Sequence, residues 1–419
     1  MLQAAESAPP VESLDVVAGI LMDRLGAVSV SFLITDFTGR SVVRLGSAPS
    51  VETGFPPHHI PLQDTVYDDV IRTQRPQVDR AGQGALVRVV APVTNRGDAI
   101  GLLELFLPAA PDSEVLREVG EAAHALAYVV IANRPFTDHY QWGRRTIPLS
   151  LAAEIQHRLL PTSLTCEAAQ FAVAGALEPA DHVGGDTFDY VLDRDSVQLS
   201  ITDAMGHDVQ SALLATLAVG ALRRARRAGA DLLEQARQAD EALQEYPQPG
   251  YVTGQLLRVD LHDGSTEFIN AGHPWPLRLR DGQVQELTPQ ADMPFGVRAP
   301  HTYRLQSLDL RPGDRLVMLS DGMLEGRRAH RWGRCCRCTR SCRLRRGRHP
   351  APWQRPCGTT RNRRPARPAR QGRRGPGRRR RRPRWHVYAC DPQVEKEARP
   401  VDVSSTVVDT GGPSNHGAC

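Results

Sequence analysis

The sequence predicts an α+β fold: an N-terminal α/β unit, a helical connector, and a second unit in which many short strands surround one helix pair. Three observations carry that expectation. Between residues 11 and 135, alternating apolar runs are closed into hairpins by two turn signals, Asp36-Phe-Thr-Gly39 and Asn95-Arg-Gly-Asp98. Between Phe171 and Glu325, short β-type runs alternate with turns around one long helical stretch. At Arg327 the composition changes abruptly: from there to Cys390 the chain has 24 Arg and no Asp, Glu or Lys.

In the first unit, Val11–Leu25 has helical apolar spacing. Val28-Ser-Val-Ser-Phe-Leu-Ile34 alternates as a strand, with Ser41-Val-Val-Arg-Leu45 as its hairpin partner. Asp64–Arg72 is a short helix, and Leu86–Val93 with Ala99–Phe106 form a second hairpin. Ser113, a good N-cap, opens a long helix with Leu116, Val119, Ala123, Leu126 and Val130 on one face. Helix, antiparallel sheet and long outgoing helix together resemble a GAF sensor domain over residues 11–135.

Residues 136–161 read as a helical connector. Ser150–Leu160 places Leu151, Ile155 and Leu159 on one stripe, and Pro161 stops the helix. Such a stripe packs within its own chain or pairs with a second chain. Its place between two units favours the second arrangement, a homodimer. Beyond it, Ser196–Thr202 alternates as a strand. Gln210–Ala228 is helical, with Leu213, Leu217, Gly220 and Ala221 set inward and Arg223, Arg224, Arg226 and Arg227 outside. Gly250–Asp260, Ser265–Ile269, Pro276–Arg280 and Arg315–Ser320 read as strands.

The net charge of +5 hides two opposed parts. Arg327–Cys390 carries +24 and the residues after it −3, which leaves −16 on residues 1–326. That is an acidic body with a cationic tail. Only Cys166 lies in the first 334 residues, as suits a reducing compartment without a disulfide framework. The start, Met1-Leu-Gln-Ala-Ala-Glu6, has neither a basic nor an apolar leader region, and nowhere do 18 apolar residues run uninterrupted. A cytoplasmic protein without a membrane partner is expected.

Four motifs carry the chemistry: Val183-Gly-Gly-Asp-Thr-Phe-Asp189, Thr202-Asp-Ala-Met-Gly-His-Asp208, Asn270-Ala-Gly-His-Pro274 and Leu319-Ser-Asp-Gly-Met-Leu-Glu325. Three of them set an aspartate beside a glycine or small residue, so that a carboxylate sits at a tight bend. Hard divalent cations such as Mg²⁺ and Mn²⁺ take oxygen ligands of this kind, and the body offers no spaced His/Cys set for zinc. One isolated Asp-Gly is more often a turn whose Asp caps a neighbouring N–H. Three in order favour a metal.

Further motifs join these four in sequence: Ile155-Gln-His-Arg-Leu-Leu-Pro161, Glu178-Pro-Ala180, Pro294-Phe-Gly296 and Arg311-Pro-Gly-Asp314. Residues 150–326 resemble the metal-dependent, PPM-type (PP2C-like) serine/threonine phosphatases, in particular the bacterial SpoIIE and RsbU-like branch. The resemblance implies an α-β-β-α sandwich over residues 162–326 and two Mn²⁺ or Mg²⁺ ions. It implies that Asp203 bridges the ions and the Ala204 carbonyl completes one site. Asp186 would bind one ion directly or through water, and Asp321 the other. Asp189 either assists or holds the loop. His207 either donates a proton to the leaving seryl oxygen or fixes the turn before the next helix. Asp208 stands where the family has Gly, and His273 is read as ordering its own loop. Gly184 and Gly185 permit the bend that presents Asp186.

The resemblance stops at the tail, so the second unit reads as C-terminally incomplete. The family completes one metal site with an Asp-Asp-x-Thr strand, and no acid occurs from Arg327 to Cys390. Asp402-Val-Ser-Ser-Thr406 is the nearest imitation, with the wrong spacing. With one Leu, one Val and no Ile or Phe in Arg327–Cys390, residues 327–419 are expected to be an arginine-rich, disordered tail. Three readings compete for it: a nucleic-acid arm, a zinc site from Cys335, Cys338, Cys342 and His349, and an out-of-frame translation of GC-rich coding sequence. The abrupt start inside a motif favours the third.

For the whole chain the resemblance implies a GAF-like sensor regulating a phosphatase that acts on phosphoserine or phosphothreonine of a partner protein, an anti-sigma-factor antagonist. The alternative is a catalytically impaired regulatory or binding module of the same fold. A nucleic-acid-binding protein ranks third.

Overall fold

A computed structural model of the chain describes residues 1–45, 58–80, 86–178, 184–322 and 385–392. The N-terminal unit starts with α1 (Leu2–Ser7) and α2 (Ser13–Leu25), followed by strands β1 (Ser29–Thr35), β2 (Ser41–Leu45) and β3 (His59–Pro61). After α3 (Val66–Thr73) come β4 (Gln77–Arg80), β5 (Val87–Asn95), β6 (Asp98–Leu107) and the long α4 (Ser113–Asn133). The strands form one antiparallel sheet in the order β3-β2-β1-β6-β5-β4. The expected hairpins are present. Arg96 and Gly97 both take positive φ (49° and 84°) in the two-residue β5–β6 turn, matching the twist of the flanking strands.

Both faces of this sheet are covered, which is why β6 reads as a continuous apolar run rather than an alternation. Phe32, Ile34, Leu103 and Leu105 pack toward α2 and α4, while Leu33 and Leu102 pack toward α3. Glu104, fully buried at the α3 face, accepts a hydrogen bond from the Tyr67 hydroxyl (2.6 Å) and pairs with Arg44. The N-cap of α4 is Asp112 rather than Ser113, because its carboxylate accepts from the amides of Glu114 and Val115, both at 2.9 Å.

The connector contains α5 (His139–Gly143) and α6 (Leu151–Leu159), the latter capped by the Ser150 hydroxyl. The stripe expected on α6 is rotated. Leu151 is 65% exposed, and the buried residues are Ala152, Ala153 and Gln156. Small side chains let this face lie close to the second unit, and of the expected stripe Leu159 packs against the core under α7 and α8. The first unit also touches this region. Phe37, in the β1–β2 turn, stacks on His157 of α6 (4.3 Å between ring centroids) and lies under the Arg144 guanidinium at 4.2 Å. Arg145 holds Glu154 of α6 through two bonds of 2.6 and 2.7 Å.

The second unit contains β7 (Thr165–Glu167), β8 (Phe171–Glu178), β9 (Asp186–Leu192), β10 (Ser196–Ala204), α7 (Val209–Arg227) and α8 (Leu232–Gln244). It continues with β11 (Val252–Asp260), β12 (Thr266–Ala271), β13 (Leu277–Arg280), β14 (Gln283–Glu286), β15 (Arg315–Leu319) and β16 (Trp385–Pro392). Two sheets result: an antiparallel one in the order β12-β11-β10-β9, and a mixed one in the order β14-β13-β15-β16-β8-β7. Val197, Leu199 and Ile201 of β10 meet Phe171, Val173, Leu316 and Met318 between the sheets. Gly175 lets them approach, since a Cβ there would lie 2.2 Å from the Phe188 ring. On the other face, Ala204, Val252, Leu256 and Ile269 pack under α7 and α8. Of the expected four layers, the described residues supply the helix pair and both sheets.

Two expectations need correction. On α7, Ala221 is buried and Leu217 packs against the core as expected, but the rest of the inward face is Ala212, Leu214, Ala215, Ala218, Val219, Leu222 and Ala225, while Leu213 is 39% exposed and Gly220 lies outside. Arg223 and Arg226, expected outside, turn in to a buried carboxylate. The tail expected to lack regular structure contributes β16, parallel to both neighbours between β8 and β15. Its sequence, Trp385-His-Val-Tyr-Ala389, has the aromatic and β-branched content that suits a strand. Residues 327–384 and 393–419, including Cys335, Cys338, Cys342, His349 and Asp402, lie outside the described residues. Among the described residues no helix is long and apolar enough to cross a membrane.

Candidate active site

Asp186 is the first residue of β9 and Asp203 the penultimate residue of β10, and the antiparallel register makes them direct partners. Strand alternation puts both on the face that carries Val197, Leu199 and Ile201, toward the second sheet. Directly opposed residues of such a ladder hold their Cβ atoms about 4.5–5.5 Å apart, and like charges there repel. Asp186 is buried and Asp203 half-buried. A cation held between the two relieves their repulsion.

Backbone oxygens join them. Gly185 precedes Asp186, and a Cβ on it would lie 2.5 Å from the Ala204 carbonyl oxygen and 3.3 Å from that of Gly206. The bare glycine therefore leaves a small cradle facing two carbonyls. The Ala204 amide closes the bend by donating to the Gly185 carbonyl at 3.2 Å. Two carboxylates and two carbonyls are an all-oxygen set, which fits a hard dication such as Mn²⁺ or Mg²⁺.

Asp321 follows the end of β15 in the other sheet, after the fully buried Ser320. Packed sheets stand about 10 Å apart, so this carboxylate starts from the far wall. Among the described residues no three His, Cys, Asp or Glu side chains converge closely enough to hold an ion. The structure thus brings together Asp186, Asp203 and Ala204 and leaves Asp321 apart from them. The register of β16 sets Asp391 opposite Leu177, one row past the Leu319–Cys390 pair.

Asp189 has a different task. Three residues after Asp186, it lies on the opposite face of β9, where Arg223 of α7 grips it twice at 3.0 Å and Arg226 binds it at 3.1 Å. It ties the helix layer to the sheet. Asp208 is the N-cap of α7, accepting from the Gln210 and Ser211 amides at 2.9 and 3.2 Å. His207, just before it, is exposed. His273 is buried, its backbone bracketed by the Asn270 side chain at 2.8 and 3.0 Å, and burial pushes its imidazole down to about 3. Its Nδ1 meets the Thr253 hydroxyl at 2.9 Å.

Gln156 is the site residue that sequence reasoning missed. Its Nε2 donates to the Asp186 carbonyl at 2.6 Å from a fully buried position on α6. The signal was a lone amide on a face of small residues, Ala152 and Ala153, hidden by the more conspicuous leucines.

Residues 193–367 match the family described as Stage II sporulation protein E (SpoIIE). The match takes in Asp203, Ala204, His207 and Asp321, begins after Asp186, and runs on into the arginine-rich stretch. Phosphoserine phosphatase RsbP of Bacillus subtilis (strain 168) is 25% identical over 183 residues, covering 42% of this chain and 45% of that protein. Phosphoserine phosphatase RsbU of the same strain is 21% identical over 182 residues, covering 43% and 54%. The chain thus spans about half the length of these curated relatives. A solved structure of the PP2C phosphatase domain and a fragment of the regulatory domain of SpoIIE from B. subtilis is 25% identical, covering 37% of this chain and 47% of that one, with a TM-score of 0.33. Residues 193–367 are thus similar to the SpoIIE family, and this part of the chain resembles the PP2C-type phosphatase domains of these relatives.

Proposed function

We propose that residues 162–326 form the body of a metal-dependent phosphoprotein phosphatase, regulated by the GAF-like unit at 11–135 through the connector at 136–161. The substrate is phosphoserine or phosphothreonine on a cytoplasmic partner protein, an anti-sigma-factor antagonist. The opposed Asp186–Asp203 pair beside the Ala204 carbonyl carries this reading. The phosphoserine phosphatase relatives support it.

Asp186, Asp203 and the Ala204 carbonyl would hold one Mn²⁺ or Mg²⁺, and Asp321 would serve a second from the facing sheet. When bound, such ions lower the pKa of a coordinated water and shield the phosphoryl charge. Gly185 keeps side-chain bulk out of the cradle. His207, exposed four residues after Asp203, donates a proton to the leaving seryl oxygen. Asp189 stays with its two arginines and takes no part in the chemistry.

The test is phosphate release from a phosphoserine protein by the full chain in Mn²⁺, beside a chain whose residues 327–419 are replaced by a family-type Asp-Asp-x-Thr segment. Release by either chain supports the reading. Release by neither, with Mn²⁺ still bound, leaves the binding module as the function.

A further inference from the structure

His273 sits between the two walls of the site. On one side its Nδ1 meets the Thr253 hydroxyl at 2.9 Å, and Thr253 is the register partner of Asp203 across the β10–β11 ladder. On the other side the ring faces the carbonyl of Leu319, the last residue of β15 and two residues before Asp321. The ring is 3% exposed, and Nε2 lacks a hydrogen bond of normal geometry, so the Leu319 carbonyl lies within electrostatic reach but is not fully engaged. The backbone of His273 cannot drift, because the Asn270 side chain holds its amide and its carbonyl together.

From this geometry we infer that His273 is a positioning residue: its ring spans from Thr253 to the Leu319 carbonyl and sets the distance between Asp203 and Asp321. The inference rests on the reading of those two aspartates as metal carboxylates. The neutral ring accepts from the Thr253 hydroxyl at Nδ1 and carries its proton on Nε2, aimed at the β15 end. A buried donor without a full partner is unfavourable. Drawing Asp321 toward an ion at Asp203 moves the Leu319 carbonyl the same way and completes that bond. Asn270 and Thr253 anchor the ring on the four-stranded sheet, so the residue that adjusts is the end of β15.

The experiment combines Mn²⁺ calorimetry with NMR of the His273 ring in the full chain, using diamagnetic Mg²⁺ for the spectra. His273→Asn keeps an acceptor, its Oδ1, near the Nδ1 position and loses reach to Leu319. Thr253→Val removes the other anchor with little change of shape and guards against misfolding of the histidine variant. Each is expected to weaken Mn²⁺ binding roughly tenfold, the usual scale for residues that orient metal ligands. In the unaltered chain the Nε2 proton should move downfield and exchange more slowly as Mg²⁺ is added. If Asp203→Asn abolishes Mn²⁺ binding while both variants bind as the unaltered chain does and the ring signal stays still, the positioning role is wrong and the metal site stands. If the unaltered chain binds no Mn²⁺, the metal reading fails and the inference falls with it.

Discussion

Asp186 and Asp203 face each other as direct partners across the β9–β10 ladder, on the side of the sheet turned toward β8 and β15. Two carboxylates so placed weaken the sheet in the absence of a cation and strengthen it in its presence. Asp203→Asn is therefore expected to melt at the same temperature as the unaltered chain or slightly higher in chelator. With Mn²⁺ at a hundred times its dissociation constant, the unaltered chain should gain about 2.7 kcal/mol and the variant almost nothing. Thermal melts with and without Mn²⁺ check both halves.

Asp189 should behave oppositely. Asp189→Ala leaves Arg223 and Arg226 half-buried around an empty carboxylate position, which costs about 3 kcal/mol. Denaturant unfolding should show the loss whether or not Mn²⁺ is present. An Mn²⁺ affinity that falls together with stability would return Asp189 to the site.

Gln156→Leu separates a local from a global effect. The variant loses the bond to the Asp186 carbonyl, but it also removes the amide oxygen of Gln156, which is buried without a hydrogen-bond partner. The two changes offset, so net stability should move by no more than about 1 kcal/mol. The Mn²⁺-dependent rise in melting temperature should shrink, because Asp186 is no longer held from behind. An undiminished rise would show that Gln156 only fills space.

These contacts mark what the sequence could and could not convey. Hairpins announced by Asp36-Phe-Thr-Gly39 and Asn95-Arg-Gly-Asp98 were legible because turn chemistry is local. The Asp186–Asp203 pairing was half legible: the motifs named the residues, while their opposition depends on the register of two strands. The faces of α6 and α7 were misread because apolar spacing weighs leucines. Alanines on α7 decide which side lies against the sheet, and Arg223 and Arg226 turn inward only because Asp189 is buried beneath them. β16 was not legible at all. Its strand exists through parallel pairing with β8 and β15, far away in sequence.

Acid should reveal His273. Burial holds its folded-state pKa near 3, below the unfolded value of about 6.5, so the unfolded chain takes up the proton first. The stability tied to the neutral ring is complete above about pH 6.5. It declines as pH falls toward 3, by up to about 1.4 kcal/mol per pH unit. His273→Gln, which does not titrate, should show a flatter stability profile between pH 6.5 and 4 in urea unfolding. Parallel profiles would mean that the ring is protonated in the folded protein.

The central claim is that the carboxylates of the second unit hold a metal for phosphate-ester hydrolysis. Phosphate release from a phosphoserine protein, by the full chain and by Asp203→Asn in Mn²⁺ and in chelator, tests it most directly. The account predicts release by the unaltered chain only with Mn²⁺, and a loss of at least about a hundredfold in the variant, on the scale of removing a group that stabilises charge in the transition state. Release that persists in chelator, or that is equal in the variant, would contradict it.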